Sequence, residues 1–193
     1  MFEQTKTIGL TITLILFSLL TGCMTMRTQT LDLHPEITPS RTFAKEKHVE
    51  VIPRDLRRSP VIGYRAITHE PKPKIVLKDS LDLLQHSTQH ALERMGIHHF
   101  DSQEFVMEVS LLNLTYQVKK NALQQIVFLD LQLRIKVSKG NKAYTGTYTT
   151  NKQHSFLGTP SEEENETIIN QIFSGTMTLA FNDNQLIDFI DVN

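Results

Sequence analysis

Residues 129–137 read Leu-Asp-Leu-Gln-Leu-Arg-Ile-Lys-Val, and this stretch decides the fold. Every odd position is aliphatic and every even one is charged or amide-bearing. Successive side chains of an extended chain point to opposite faces, so this pattern specifies a strand with one buried and one wet face. The residues on either side repeat the habit. Upstream, Phe105, Met107, Val109 and Leu111 hold odd positions, whereas Leu112, Leu114, Tyr116 and Val118 hold even ones. A one-residue slip would turn half of that strand inside out, so a β-bulge is expected between Leu111 and Leu112. Downstream, Lys139-Gly140-Asn141 forms a hairpin turn into Lys142–Thr150, a Thr- and Tyr-rich strand of low apolar content suited to a sheet edge.

Three antiparallel strands in series need a partner layer, and two stretches of helical period supply it. Asp79-Ser80 opens a helix with Leu77, Leu81, Leu84, Ala91, Leu92 and Met95 at three- and four-residue steps, stopped at Gly96. Thr159-Pro160-Ser161-Glu162 opens a second, with Thr159 as its cap and Ile168, Ile169, Ile172, Leu179 and Ala180 as its buried stripe. An interruption at Asn182-Asp183-Asn184 precedes a short terminal helix, Gln185–Ile190, that returns Leu186, Phe189 and Ile190 to the core. Before all of these, His48–Ile52 alternates as a first strand ended by Pro53. Arg54–Ile67 is a basic loop running into the apolar stretch Val61–Ile67, and the Pro71- and Pro73-bearing run that follows is a stiff connector. The fold class that follows is α+β: two layers, a mainly antiparallel sheet packed against two helices on one face.

The N-terminal part has another character. Thr7–Thr21 carries no charged residue and is mostly apolar. At about 15 residues it is shorter than the ~20 that cross hydrocarbon as a helix, so a signal-peptide core is expected over residues 1–22. Leu20-Thr21-Gly22-Cys23 resembles the lipobox of bacterial lipoproteins. That resemblance implies cleavage before Cys23 and acylation of its thiol and new amine, with two or three chains giving a lasting membrane anchor. In that class, Met24 after the cysteine, where aspartate would retain the protein in the inner membrane, implies sorting to the outer membrane, facing the periplasm. Cys23 is the sole cysteine, so no disulfide is expected. Residues 23–47 are Thr-rich and polar and read as a flexible tether, within which Leu31–Pro39 is less polar and suited to docking as an extended strand. Residues 48–193 form the single folded domain.

The assembled pieces resemble the YajG-like bacterial lipoproteins. The residues that carry the likeness are the lipobox, Leu31-Asp32-Leu33-His34-Pro35, the Asp55-Leu56-Arg57 turn, Val61-Ile62-Gly63-Tyr64-Arg65, Met95-Gly96 and Leu186–Ile190. It implies a lipid-anchored envelope protein without known catalytic residues.

Chemistry is sparse. Arg54, Arg57, Arg58 and Arg65 place four guanidinium groups within twelve residues. They suit anionic headgroups or an acidic partner, or else form a loop whose charges pair with Asp55 and solvent. Tyr144 and Tyr148 on the edge strand are candidates for contact with a sugar or peptide. His86 and His90 stand one helical turn apart, a spacing that can clamp a metal, yet they fall between the apolar positions. Glu162-Glu163-Glu164 complements the positive end of a helix dipole. There is no phosphate-binding glycine loop, G-x-S-x-G elbow or CxxC pair. With 20 basic and 21 acidic residues the net charge is −1, which disfavours nucleic acid as a partner.

Three functions are in play. The first is a non-catalytic lipoprotein, without cofactor, that binds an envelope protein or peptidoglycan through its sheet edge or arginine loop. The second is an accessory lipoprotein of a lipid or lipopolysaccharide transport system, sheltering an acyl chain between sheet and helices. The third is a metal-dependent hydrolase. A filled core with an unpaired strand at Thr145–Thr150 favours the first, a deep apolar cavity behind the first helix the second, and convergence of His86, His90 and a carboxylate the third.

Overall fold

In this computed structural model, residues 27–65, 72–98, 100, 104–121 and 123–193 are described. The signal segment and Cys23 lie outside them. The long hairpins dominate. β5 (Phe105–Lys120), β6 (Gln125–Lys139) and β7 (Lys142–Phe156) pair antiparallel along almost their whole lengths. In β6 each odd residue from Gln125 to Val137 is buried, as its alternation dictates. The β5–β6 register shifts between Leu111 and Asn113, leaving Leu112 as the extra residue. The bulge sits where the change of apolar parity requires it, and it keeps Leu111, Leu114 and Tyr116 on one face.

The far side of β5 is shared. β2 (Val49–Asp55) runs parallel to its first half, and β3 (Val61–Tyr64) meets its second half at Tyr116. β3 then pairs antiparallel with β4 (Lys74–Val76), which pairs with the two-residue β1 (Gln29–Thr30). The result is a seven-stranded mixed sheet, β1-β4-β3-β5-β6-β7, with β2 also on β5. Gly63 is required where β3 touches β5. A Cβ there would stand 2.1 Å from the Tyr116 carbonyl oxygen. Contrary to expectation, β2 continues through Pro53. Proline lacks an N–H for a ladder, but among the described residues β2 pairs with β5 alone and its other side demands none.

Three helices cover one face: α1 (Ser80–Arg94), α2 (Glu162–Phe181) and α3 (Asn184–Val192). None of the described helices is long and apolar enough to cross a membrane. Gly96 ends α1 at φ +90°, the left-handed conformation its sequence position demands. Leu77 belongs to the β4 end rather than to α1, and Leu81 is half exposed. α2 is capped by Ser161, not Thr159. The Ser161 hydroxyl accepts from the Glu164 N–H at 3.0 Å, while the Glu164 carboxylate accepts from the Ser161 N–H at 2.7 Å. Thr159 instead accepts from the Gln125 amide. The buried stripe of α2 runs through Ile168, Ile169, Ile172, Phe173, Met177 and Ala180, and Leu179 faces solvent. In α3 the buried residues are Leu186, Ile187 and Ile190, while Phe189 meets Phe105 edge-on with ring centroids 6.5 Å apart.

Leu31–Pro39 docks in extended form, in the groove between α1 and α2. Gln29, Leu31, Leu33 and Ile37 point inward and are buried. The backbone N–H groups of Asp32, Glu36, Thr38 and Ser40 donate to side chains of Glu166, Ser174, Thr178 and Asn182. Asn170 donates to the His34 carbonyl at 3.0 Å. Each step of two residues along this strap meets a step of four along α2. Two extended residues rise ~6.6 Å and four helical ones ~6 Å, so the two ladders stay in phase. On the other flank, Arg94 of α1 donates to the Ile37 carbonyl at 2.9 Å.

Candidate binding surface: the open β7 edge and the arginine turn

The four arginines have separate fates. Arg57 is buried and gripped by Asp55, with Nη2 donating to Oδ2 at 2.6 Å, Nε donating to Oδ1 at 2.9 Å, and Nη2 also reaching the Leu77 carbonyl. Ser80 donates to the same carboxylate at 2.5 Å. Burial raises the Asp55 carboxyl, but the hydrogen bonds from Arg57 and Ser80 outweigh it and hold its pKa below the ordinary value. The Asp55-Leu56-Arg57 turn therefore clamps the end of β2 to β4 and to the start of α1. Arg65 pairs with Glu162 at 2.8 Å. Arg54 lies on the open sheet face against Glu108 at 2.8 Å. Only Arg58 is exposed without a partner among the described residues. Two of the four, Arg57 and Arg65, hold the fold together.

Tyr144 and Tyr148 turn toward the helices. Both hydroxyls donate to Oδ2 of Asp183, at 2.5 and 2.8 Å, and Tyr148 is buried. Oδ1 of Asp183 caps α3 by accepting from the Gln185 N–H at 2.9 Å. Burial, then hydrogen bonding to Tyr144 and Asp183, pushes the Tyr148 hydroxyl far above its ordinary pKa. A second buried network, invisible in the sequence pattern, joins Tyr116 to Asn165 at 2.7 Å and Asn165 to Gln29 at 3.1 Å. Burial raises the Tyr116 hydroxyl as well. Each of these hydroxyls stays protonated and serves as a donor that fixes packing.

His86 and His90 are exposed, and His86 Nδ1 donates to the Asp82 carbonyl at 2.8 Å. They line a 670 Å³ cavity between α1 and the strap, with Asp32, His34 and Glu93 among its walls. Among the described residues no group of three His, Cys, Asp or Glu side chains is placed to hold a metal ion. The cavity lies on the outer side of α1 rather than between α1 and the sheet, where Leu84, Leu92, Met95 and Met107 are packed to 1 % exposure or less.

What remains open is the rim of the sheet. β7 pairs with β6 in an unbroken register from Lys139↔Lys142 to Gln125↔Phe156. Closing a two-residue turn makes Lys139–Lys142 a hydrogen-bonded pair, so even residues of β7 bond inward and odd ones aim their N–H and C=O outward. The outward residues are Ala143, Thr145, Thr147, Thr149, Asn151, Gln153 and Ser155, all with exposed side chains and none charged. Edges are commonly blunted by proline, bulges or charge. The outward positions of this one carry none of these.

A protein-family model described as an uncharacterized lipoprotein, Lipoprotein_16, matches residues 35–191. The chain belongs to this lipoprotein family. The YajG-like resemblance is thereby upheld, and with it the standing of a membrane-anchored envelope protein. No curated protein gives a significant match. Among solved structures, protein XCC0632 from Xanthomonas campestris, of the DUF330 family, superposes with a TM-score of 0.57 at 11% identity, covering 80% of this lipoprotein and 92% of that chain. A protein described only as uncharacterized gives 0.45 at 9% identity, over 80% and 97% of the two chains. A Helicobacter pylori protein, provisionally described as a neuraminyllactose-binding hemagglutinin homolog, gives 0.35 at 10% identity over 83% and 98%. The first shows a shared fold, and the other two are too distant to bear on the argument. Cys23 precedes both the family match and the described residues.

Proposed function

We propose that this lipoprotein is a non-catalytic binding module, held in the outer membrane by acyl chains on Cys23 and facing the periplasm, that captures an extended segment of another envelope protein on its β7 edge. The observation that carries the reading is the row of outward backbone groups from Ala143 to Ser155, unpaired among the described residues and free of proline, bulge or charge. An added strand gains main-chain hydrogen bonds from such a rim, and the flanking side chains choose the partner. Thr145, Thr147 and Thr149 offer a hydroxyl-bearing, β-favouring surface for cross-strand pairing. An acyl-sheltering role would need space between sheet and helices, and that layer is filled by buried aliphatic and aromatic side chains.

The test uses proline. At Thr147 or Thr149 the N–H points away from β6, so proline removes a donor to the partner while the β6–β7 ladder keeps its bonds. A photoreactive residue at Thr145 in intact cells is expected to trap one envelope protein, and Thr147→Pro with Thr149→Pro is expected to abolish the adduct without changing the amount of folded protein. An undiminished adduct in the proline variant overturns the edge as the binding site. Capture of glycan in place of protein overturns the polypeptide partner.

A further inference from the structure

The strand directions gather one end of the domain around the start of the chain. β5 climbs to its connection with β6, where Lys120 pairs with Gln125, and β7 ends beside it, where Gln125 pairs with Phe156. β1 starts at the same end, because Gln29 pairs with Ile75 near the top of β4, whose Lys74 pairs with Tyr64 of the climbing β3. Cys23 is therefore tied to this end by the few residues before Gln29, whose contour length from Cys23 is at most ~20 Å.

Two leucines stand out at this same end. Leu123 at the β5–β6 turn is 83% exposed, and Leu157 just past β7 is 89% exposed, the two highest values among the described large hydrophobic residues. They sit on neighbouring loop tips. At the same end Arg27, Lys74, Lys119 and Lys120 are exposed, and none is paired with a carboxylate among the described residues, while the Lys119 ammonium lies over the Phe128 ring, 5.0 Å from its centroid. Of the three acids at the start of α2, Glu162 is engaged by Arg65 and Glu164 by the capping box, and Glu163 is exposed.

We propose that this end is a membrane-docking surface: Leu123 and Leu157 enter the interfacial zone of the bilayer that holds the acylated Cys23, and the four cations rest on its phosphates. The inference rests on acylation at Cys23, since that places the nearest bilayer within a short reach. Two apolar side chains add a hydrophobic contribution, and each basic residue beside an anionic surface adds to it, screened by salt. The domain then stands with fixed orientation, its β6–β7 turn at Gly140-Asn141 pointing away from the lipid.

Labelling distinguishes the possibilities, because acylation leaves no other free thiol. The full lipidated chain, its acylation verified by mass, is reconstituted into vesicles of phosphatidylethanolamine and phosphatidylglycerol. A fluorophore is placed through Gln124→Cys or, at the opposite end, through Asn141→Cys. The Gln124 probe is expected to shift to the blue and be quenched by spin-labelled lipid, while the Asn141 probe is not. Leu123→Ser with Leu157→Ser, both exposed and so neutral to folding, is expected to remove most of that quenching, and 0.5 M salt to weaken it. Equal quenching at both ends, or quenching indifferent to the two leucines, overturns the proposal while leaving the β7 cross-link standing. An unmodified Cys23 would instead remove the anchor on which both readings draw.

Discussion

At the scale of single residues, part of the chemistry conspicuous in the sequence braces the fold. Asp55-Leu56-Arg57 and the pair Tyr144 and Tyr148 all bond into the fold, and what they bond to came from sequence-distant positions: Leu77, Ser80 and Asp183. Pattern in a sequence reports which face a side chain takes. It does not report which distant acceptor that face brings near, so Asp183, the shared acceptor, passed as a helix interruption. Its pKa can be turned into a test. Burial raises it, but the hydroxyls of Tyr144 and Tyr148 and the amides of Gln185 and Leu186 outweigh burial and hold it below the ordinary 3.8. A carboxylate with a depressed folded-state pKa adds stability above its unfolded value and loses it as pH falls through the folded one. Urea midpoints of the wild type should therefore drop between pH 5 and pH 3, and those of Asp183→Asn should drop less. Asp183→Ala, which removes the cap and orphans two hydroxyls, should cost ~2 kcal/mol or more at pH 7. A pH response identical in wild type and Asp183→Asn would mean that the charge on Asp183 is not what the tyrosines recognise.

At the scale of elements, alternation and helical period were sufficient for β5, its bulge, β6, the hairpin into β7 and the two long helices, because each has one dry face and enough length to show it. The short β3–β4 hairpin and β1 were not legible, since two to four residues cannot display a period. The strap was visible only as a less polar patch. Its partners are the polar side chains of α2 at every fourth position, a row that in sequence reads as the solvent face of a helix. If that ladder acts as a unit, its amides should exchange as one. The N–H groups of Asp32, Glu36, Thr38 and Ser40 are expected to be protected from hydrogen exchange well beyond ordinary loop values. Ile37 is fully buried beneath them. Ile37→Ala should lower stability by ~2–4 kcal/mol and accelerate all four amides together. Acceleration of only the nearest amide would show that each contact is made independently.

At the scale of the whole molecule, the boundary of the domain is set by packing rather than by family likeness, and the two do not coincide. The family match begins at residue 35. The buried core begins earlier, with Gln29, Leu31 and Leu33, and Gln29 reaches both Asn165 and the Glu162 carbonyl at the start of α2. These residues cover a groove between two helices whose facing side chains would otherwise meet water, so the strap closes the core of a domain that has no disulfide to hold it. A chain beginning at Arg27 should thus unfold in one cooperative step with the stability of the mature protein. A chain beginning at Arg41 should lose ~3 kcal/mol or more and bind a hydrophobic dye, because Leu31, Leu33 and Ile37 leave together and each buried aliphatic side chain contributes on the order of 2 kcal/mol. The same geometry limits where the domain can stand. With the core starting at Gln29, the stretch joining it to Cys23 is six residues rather than the two dozen of a tether ending at Lys47, and the reach above the bilayer shrinks accordingly. Restoring reach should therefore separate the two forces that orient the molecule. Twenty Gly-Ser residues inserted before Arg27 leave the urea midpoint unchanged, since they lie outside the packed core. If Leu123 and Leu157 dock as proposed, the insertion also leaves the Gln124 probe quenched by lipid. If the short leash alone presses that end to the surface, the quenching disappears.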